Sequence, residues 1–195
     1  MVSPTRPPSA RPRGREAVRA AVLAATRELV AERGPDGFSV RDIAARADVN
    51  HALVHRHFGT KADVLSEMLT LEGEALVGDL ADSGLPTSGV AAAEVVEGLL
   101  TVLAGRPTYW RALLNAVVET PEVAVPGTAP TTELFAGLWA DRESERAGDT
   151  ALAGLTVLGW LIFGDYMADT TGADPADLRR LVAEQVSALV GQLAD

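Results

Sequence analysis

Apolar residues recur along this chain at helical rather than strand spacing. Val18, Val22, Ala25 and Leu29 step by four, three and four, which predicts a helix over 16–33 with one buried face. Gly34 and Pro35 stop it. Ser39 and Asp42 have the S-x-x-D form of a capping box, so a second helix is predicted from Ser39 to about Ala47. After a break at Asp48 and Val49, Asn50 is a good cap for a short third helix over 51–57. Gly59 breaks the pattern again, and Thr60 caps a fourth helix over 61–80. Beyond the loop "ADSGLPTSG" a helix is predicted over 90–104. Another starts near Pro107, with Trp110, Leu113, Leu114, Val117 and Val118 on its apolar stripe. A Pro-rich loop spans 120–131, and helices follow over 132–146, 149–170 and 175–193. The last has Asp174 as cap, Pro175 at its first position, and a stripe of Leu178, Leu181, Val182, Gln185, Val186, Leu189 and Leu193. With no strand pattern longer than a few residues and no internal repeat, the expected fold class is all-α.

The tight break between the second and third helices predicts a helix-turn-helix. Ile43, Ala44, Val49 and Val54 fall where the two helices meet, and Phe58 falls in the core. Asp48 occupies a turn position that often needs a left-handed backbone, which Gly prefers and Asp tolerates. The outward face of the third helix then carries His51, Ala52, His55 and Arg56. Residues 41–65 also hold all three histidines of the chain and its only lysine, Lys61. Such a cluster fits a metal site, a catalytic site, or a surface that meets a polyanion.

Charge favours the last. The chain has 195 residues and a net charge of −10, unevenly spread. Residues 1–61 carry 11 Lys and Arg against 6 Asp and Glu, giving +5, while residues 62–195 carry 6 against 21, giving −15. A basic head on an acidic body is expected where one end alone meets a polyanion. His51 and His55 are four apart, a spacing that also suits zinc, but no Cys or HExxH pattern completes a site, so no metal or cofactor is expected. The chain has no GxSxG, phosphate loop or GxGxxG, and the expectation is a protein that is not an enzyme. The N-terminus lacks the apolar core of a signal peptide. The longest apolar run, Ala151 to Gly164, falls short of the ~18 residues of a membrane span. A cytoplasmic protein without membrane attachment is expected.

The stretch "FSVRDIAARADVNHALVHRHFGTKADVL" resembles the signature of the TetR family of transcriptional regulators. It has the apolar–Ser–x–Arg–x–Ile–Ala start, an Ala–Gly–Val–Ser-like turn, and the closing Phe–x–x–Lys–x–x–Leu. Asp48 stands where the family usually has Gly, and His55 where it commonly has Tyr. The resemblance covers about residues 16–65. Residues 1–15, rich in Pro and Arg and without periodicity, read as a disordered basic arm. The resemblance implies a DNA-binding helix-turn-helix domain over 16–61 and a larger helical domain over 62–195 for effector binding and dimerisation. It also implies a homodimer on a palindromic operator in double-stranded DNA, with one third helix in each major groove. Arg41, His51, Ala52 and Leu53 then face bases, and His55, His57 and Lys61 lie near the backbone. Ser39, Asn50 and Arg56 complete the candidate DNA-binding surface. Arg can grip a guanine edge with two bonds, and an apolar side chain can touch a thymine methyl. His57 has a second reading, as a packed residue bonded to a backbone carbonyl. The arm arginines (Arg6, Arg11, Arg13 and Arg15) have two readings, a minor-groove or nonspecific phosphate contact and a solvated tail.

The larger domain holds most of the aromatics. Trp110, Leu114, Asn115, Phe135, Trp139, Thr156 and Trp160 are candidates for a pocket that takes a small apolar effector, although residues at such spacing also build cores. Residues 151–166 are apolar nearly all round, with Gly154, Gly159 and Gly164 allowing close helix approach. Together with the final helix they make 149–193 the expected dimer interface, the expected product being a repressor released by its ligand. The alternatives are a DNA-binding regulator or architectural factor without an effector, and a helical enzyme or ligand carrier.

Overall fold

The computed structural model describes residues 12–85, 91–119, 125–133 and 147–191. These residues contain helices and turns and no strand, as the periodicity predicts. The helices are α1 (Arg15–Arg33), α2 (Val40–Arg46), α3 (His51–His57), α4 (Lys61–Asp82), α5 (Ala92–Ala104), α6 (Pro107–Glu119), α7 (Ala147–Thr171) and α8 (Pro175–Gly191). Residues 129–133 are also helical. Most of the helix predicted over 132–146, together with Phe135 and Trp139, lies outside the described residues.

The chain divides into two compact units, Met1–Met68 and Leu69–Asp195, with the division inside α4. In the first, the predicted stripe of α1 is buried in full, joined by Leu23, Thr26 and Val30. Ile43 and Ala44 of α2 and Val54 of α3 close the same core. Burying a side chain such as Ile43 or Val54 contributes about 1.5–3 kcal/mol. Packing therefore holds these short helices together, since helices of two turns have little stability of their own. Val49 and Phe58 are only half-buried, contrary to their expected core positions. Each sits at the rim, in the turn that follows a helix.

Local signals fix the helix boundaries. Ser39 and Asp42 form a reciprocal capping box: the Ser39 N–H donates to Asp42 Oδ2 (2.8 Å), and the Asp42 N–H donates to Ser39 Oγ (3.3 Å). Thr60 and Asp63 repeat it at the start of α4, at 2.7 and 3.2 Å. Asn50 Oδ1 caps α3 by accepting from the Ala52 N–H (2.9 Å). The end of α2 is a Schellman motif, in which Val49 N–H reaches Ala44 O (3.0 Å) and Asp48 N–H reaches Ala45 O (3.4 Å). That geometry requires a left-handed residue between, and Asp48 supplies it with φ 52°, the only positive φ at a non-glycine among the described residues.

In the second unit, α8 packs along both α5 and α7. Asp174 Oδ1 caps α8 at the Ala176 and Asp177 N–H groups. Leu100, Leu103, Tyr109 and Trp110 are fully buried. Arg106, just before α6, is clamped to α4: Nε donates to Asp79 Oδ2 (2.8 Å) and Nη1 to Glu72 Oε2 (3.1 Å). Of the predicted α6 stripe only Trp110 is buried, flanked by the buried Tyr109 and Ala112, and Leu113 is half-buried. Leu114, Val117 and Val118 are exposed. Periodicity identified an apolar face there but not what lies against it.

Asp48→Ala should be less stable than Asp48→Gly by about 1 kcal/mol, because a Cβ is disfavoured in the left-handed region. Urea unfolding of the two variants measures this. Equal midpoints would mean the turn does not hold that conformation in solution.

Candidate nucleic-acid interface

Capping fixes where α3 begins, and the Schellman turn fixes its direction from α2. Together they open a depression of about 640 Å³ lined by Arg41, Ala44, Ala45, Asp48, Val49, Asn50, His51 and Leu53, with Pro12 at its edge. Four of the predicted DNA-binding residues (Arg41, Asn50, His51 and Leu53) thus share one surface. Arg41, His51, Ala52, His55 and Arg56 are exposed, and Leu53 and His57 are half-buried. Ser39 and Asn50 use their side chains as caps. His51 and His55 meet edge to face, their ring centroids 6.4 Å apart.

The basic residues here are held in different ways. Arg46 is turned to α1, where it grips Glu32 with two nitrogens (2.8 and 2.7 Å) and reaches Glu28 (3.0 Å). Donating hydrogen bonds to Glu32 and then to Glu28 pushes its pKa up, and accepting the bond from Arg46 pulls Glu32 down. Its charge is thus spent inside the fold. Lys61, in the first turn of α4, holds its ammonium 4.5 Å from the Phe38 ring centroid, a cation–π contact. Arg19 sits over Phe58 at 5.6 Å and pairs with Glu67 at 2.6 Å. The aromatic seats under Lys61 and Arg19 escaped sequence analysis because they join residues distant along the chain. His55 Nδ1 lies 2.8 Å from Gly59 O. Its i,i+4 spacing to a turn glycine was a visible signal.

The candidate effector residues lie in the other unit. Trp110 is buried, and its indole N–H donates to Leu103 O (2.7 Å). Thr156 Oγ1 donates back to Leu152 O within its own helix. Leu114 is exposed, and Asn115 and Trp160 are half-buried. A buried polar chain that sequence analysis did not single out runs from Tyr109 to segment 125–133. Thr131 Oγ1 donates to Thr128 O (3.0 Å), leaving Tyr109 OH to donate to Thr131 (2.5 Å). Burial pushes the Tyr109 pKa up, and the Thr131 bond partly opposes this.

A basic, capped helix-turn-helix with an exposed third helix defines the class: a DNA-binding transcriptional regulator. A sequence profile described as "Bacterial regulatory proteins, tetR family" matches residues 22–68. The HTH-type transcriptional repressor Rv3405c of Mycobacterium tuberculosis is 36% identical over 180 residues, covering 87% of each chain. A transcriptional regulator from Rhodococcus sp. RHA1 has a similar fold (TM-score 0.66, 20% identity, 89% of this chain and 96% of that one). So does the multidrug binding protein EbrR complexed with imidazole (TM-score 0.58, 20% identity, 86% and 93%). The chain belongs to the TetR family of bacterial transcriptional regulators.

The caps carry a pH dependence. Hydrogen bonds from Ser39 hold Asp42, and those from Thr60 hold Asp63, below the ordinary aspartate pKa. A lowered folded-state pKa contributes stability that is complete above the unfolded-state value and is lost as pH falls through the folded one. Unfolding midpoints should therefore decline as pH drops below about 4, and Asp42→Asn should remove part of that decline. An unchanged decline in the variant would remove the cap from the account.

Proposed function

We propose that the chain is a homodimeric repressor that binds a palindromic operator through α3 and is released by a small apolar ligand. The observation that carries the dimer is α7. Its segment Ala151–Thr171 is as long and as apolar as a membrane-crossing helix, with mean hydropathy 1.5, yet only 11% of it is buried in the single chain. This run is longer than the 151–164 stretch weighed from sequence. Leu152, Leu155, Phe163, Tyr166 and Met167 are exposed along it, as is Leu181 of α8. So much bare apolar surface requires cover. A Cβ added at Gly154 or Gly159 would meet nothing within 4 Å, leaving room for a partner backbone. Gly164 differs, because its space is taken by the Trp160 ring at 3.1 Å. A second copy, paired through 149–193, covers this surface with two-fold symmetry, and the symmetry of the operator follows. A membrane is the other possible cover. The basic DNA-binding head favours the dimer and a cytoplasmic location.

Phosphate contacts position the protein and base contacts specify the sequence. Arg41, His51, Ala52 and Leu53 are assigned to bases, and His55, Arg56, His57 and Lys61 to the backbone, with Ser39 and Asn50 holding the helix starts. Repression is supported by the name of the mycobacterial relative, and binding of a small ligand by the similarly folded EbrR, which is complexed with imidazole; release from DNA is part of the proposal. Trp110, Leu114, Asn115, Thr156 and Trp160, with Phe135 and Trp139, are the proposed effector neighbourhood. No catalytic role is assigned.

Selection of duplexes from a random pool by the purified protein tests the whole reading. A palindrome is expected, and recovery without enrichment would contradict it. Arg41→Ala should relax base preference, while Lys61→Ala should weaken all duplexes alike and reduce the salt slope by about 1. A Lys61→Ala protein with altered preference and intact affinity would reverse those roles. Leu155→Glu should sediment as a monomer and lose tight operator binding. A Leu155→Glu dimer would remove α7 from the interface.

A further inference from the structure

His55 and Gly59 are tied twice. The Gly59 N–H donates to His55 O at 3.0 Å, and His55 Nδ1 lies 2.8 Å from Gly59 O. A carbonyl oxygen only accepts, so Nδ1 must carry the proton that makes the second bond. Gly59 has φ 96°, and a Cβ there would meet Asp63 Oδ2 at 2.7 Å, so the carbonyl belongs to a turn that strongly favours glycine. The neutral form of the ring is therefore fixed as the tautomer with its proton on Nδ1 and a bare lone pair on Nε2. Phosphate oxygens also only accept. A neutral His55 would set a lone pair against a phosphate, whereas the imidazolium donates a charge-assisted bond from Nε2.

We propose that His55 binds a DNA phosphate only as the imidazolium, so that each subunit takes up one proton from solvent at Nε2 when it binds duplex DNA. This rests on the DNA-binding role assigned to the outer face of α3. The exposed position of His55 leaves Nε2 open to both solvent and ligand. His51 meets the His55 ring edge to face with centroids 6.4 Å apart, and Arg56 and His57 follow on the same helix. Asp63 and Lys61 stand beyond the Gly59 turn. On the helices packed against α3, Arg19 is seated on Phe58 and paired with Glu67, and Asp42 and Arg46 are bonded to Ser39 and to Glu32 and Glu28. Arg41 lies in the groove on the other side of His51.

The test is the affinity of the full chain for a 30-base-pair duplex of random sequence, at fixed salt, from pH 6 to 8. A phosphate contact operates on any sequence. Wild type should bind at least about fivefold more weakly at pH 8 than at pH 6, because histidines titrate across this range. His55→Gln should lose most of that dependence and bind weakly throughout. His55→Arg should bind tightly throughout, and His51→Gln and His57→Gln should each keep most of the wild-type slope. The His55 side chain is exposed, so neither change there removes packing from the core. A His55→Gln slope equal to that of wild type, or a slope that vanishes with His51→Gln or His57→Gln instead, overturns the proposal while leaving DNA binding intact. Absence of binding at every pH overturns both.

Discussion

The left-handed residue at the end of α2 is the constraint on which the interface depends. Asp48 closes the Schellman motif with φ 52°, and the chain can then turn sharply enough for Asn50 to cap α3 at once. Without that turn, Val54 would not reach the core beside Ile43 and Ala44, and Arg41 and His51 would not line one groove. Backbone conformation, core packing and the polar surface are thus settled by one residue. The cost of a Cβ at this φ is offset by burial of apolar side chains on both sides of the turn.

Electrostatics sorts the basic residues into two groups. Arg46 and Arg19 are paired with carboxylates and serve the fold. Arg41 and Arg56 lie exposed, and Lys61 sits on an aromatic ring with its ammonium uncompensated by that contact. The first 61 residues carry a net +5, although Arg46 alone holds two of their glutamates, Glu28 and Glu32. The acidic remainder of the chain, at −15, disfavours binding of a polyanion elsewhere. Among the described residues, positive charge without a carboxylate partner gathers at Arg41, Arg56 and Lys61 of the first unit.

Most of this first unit was legible in the sequence because its determinants are local. Ser39 with Asp42, Asn50, Thr60 and Asp174 each act within three residues, and the α1 stripe needs only its own period. What stayed hidden depends on distant partners. Arg46 finds Glu28 and Glu32 across 18 and 14 residues, and Arg106 finds Glu72 across 34. Lys61 finds Phe38. The later apolar helices show the opposite limit. Periodicity marked α6 and α7 as apolar but could not say that Val118 and Leu155 stay bare in the single chain. An apolar face says that something covers it, and the partner is set by tertiary or quaternary packing.

The central claim is that the turn at Asp48 presents the outer face of α3, with Arg41, to duplex DNA. Nuclear magnetic resonance of the isotope-labelled full chain, titrated with a duplex, tests it directly. The account predicts the largest changes at Arg41, at 50–56 and at Lys61, with the buried Leu100 and Leu103 far less affected. Changes concentrated on α7 and α8, with α3 silent, would contradict it.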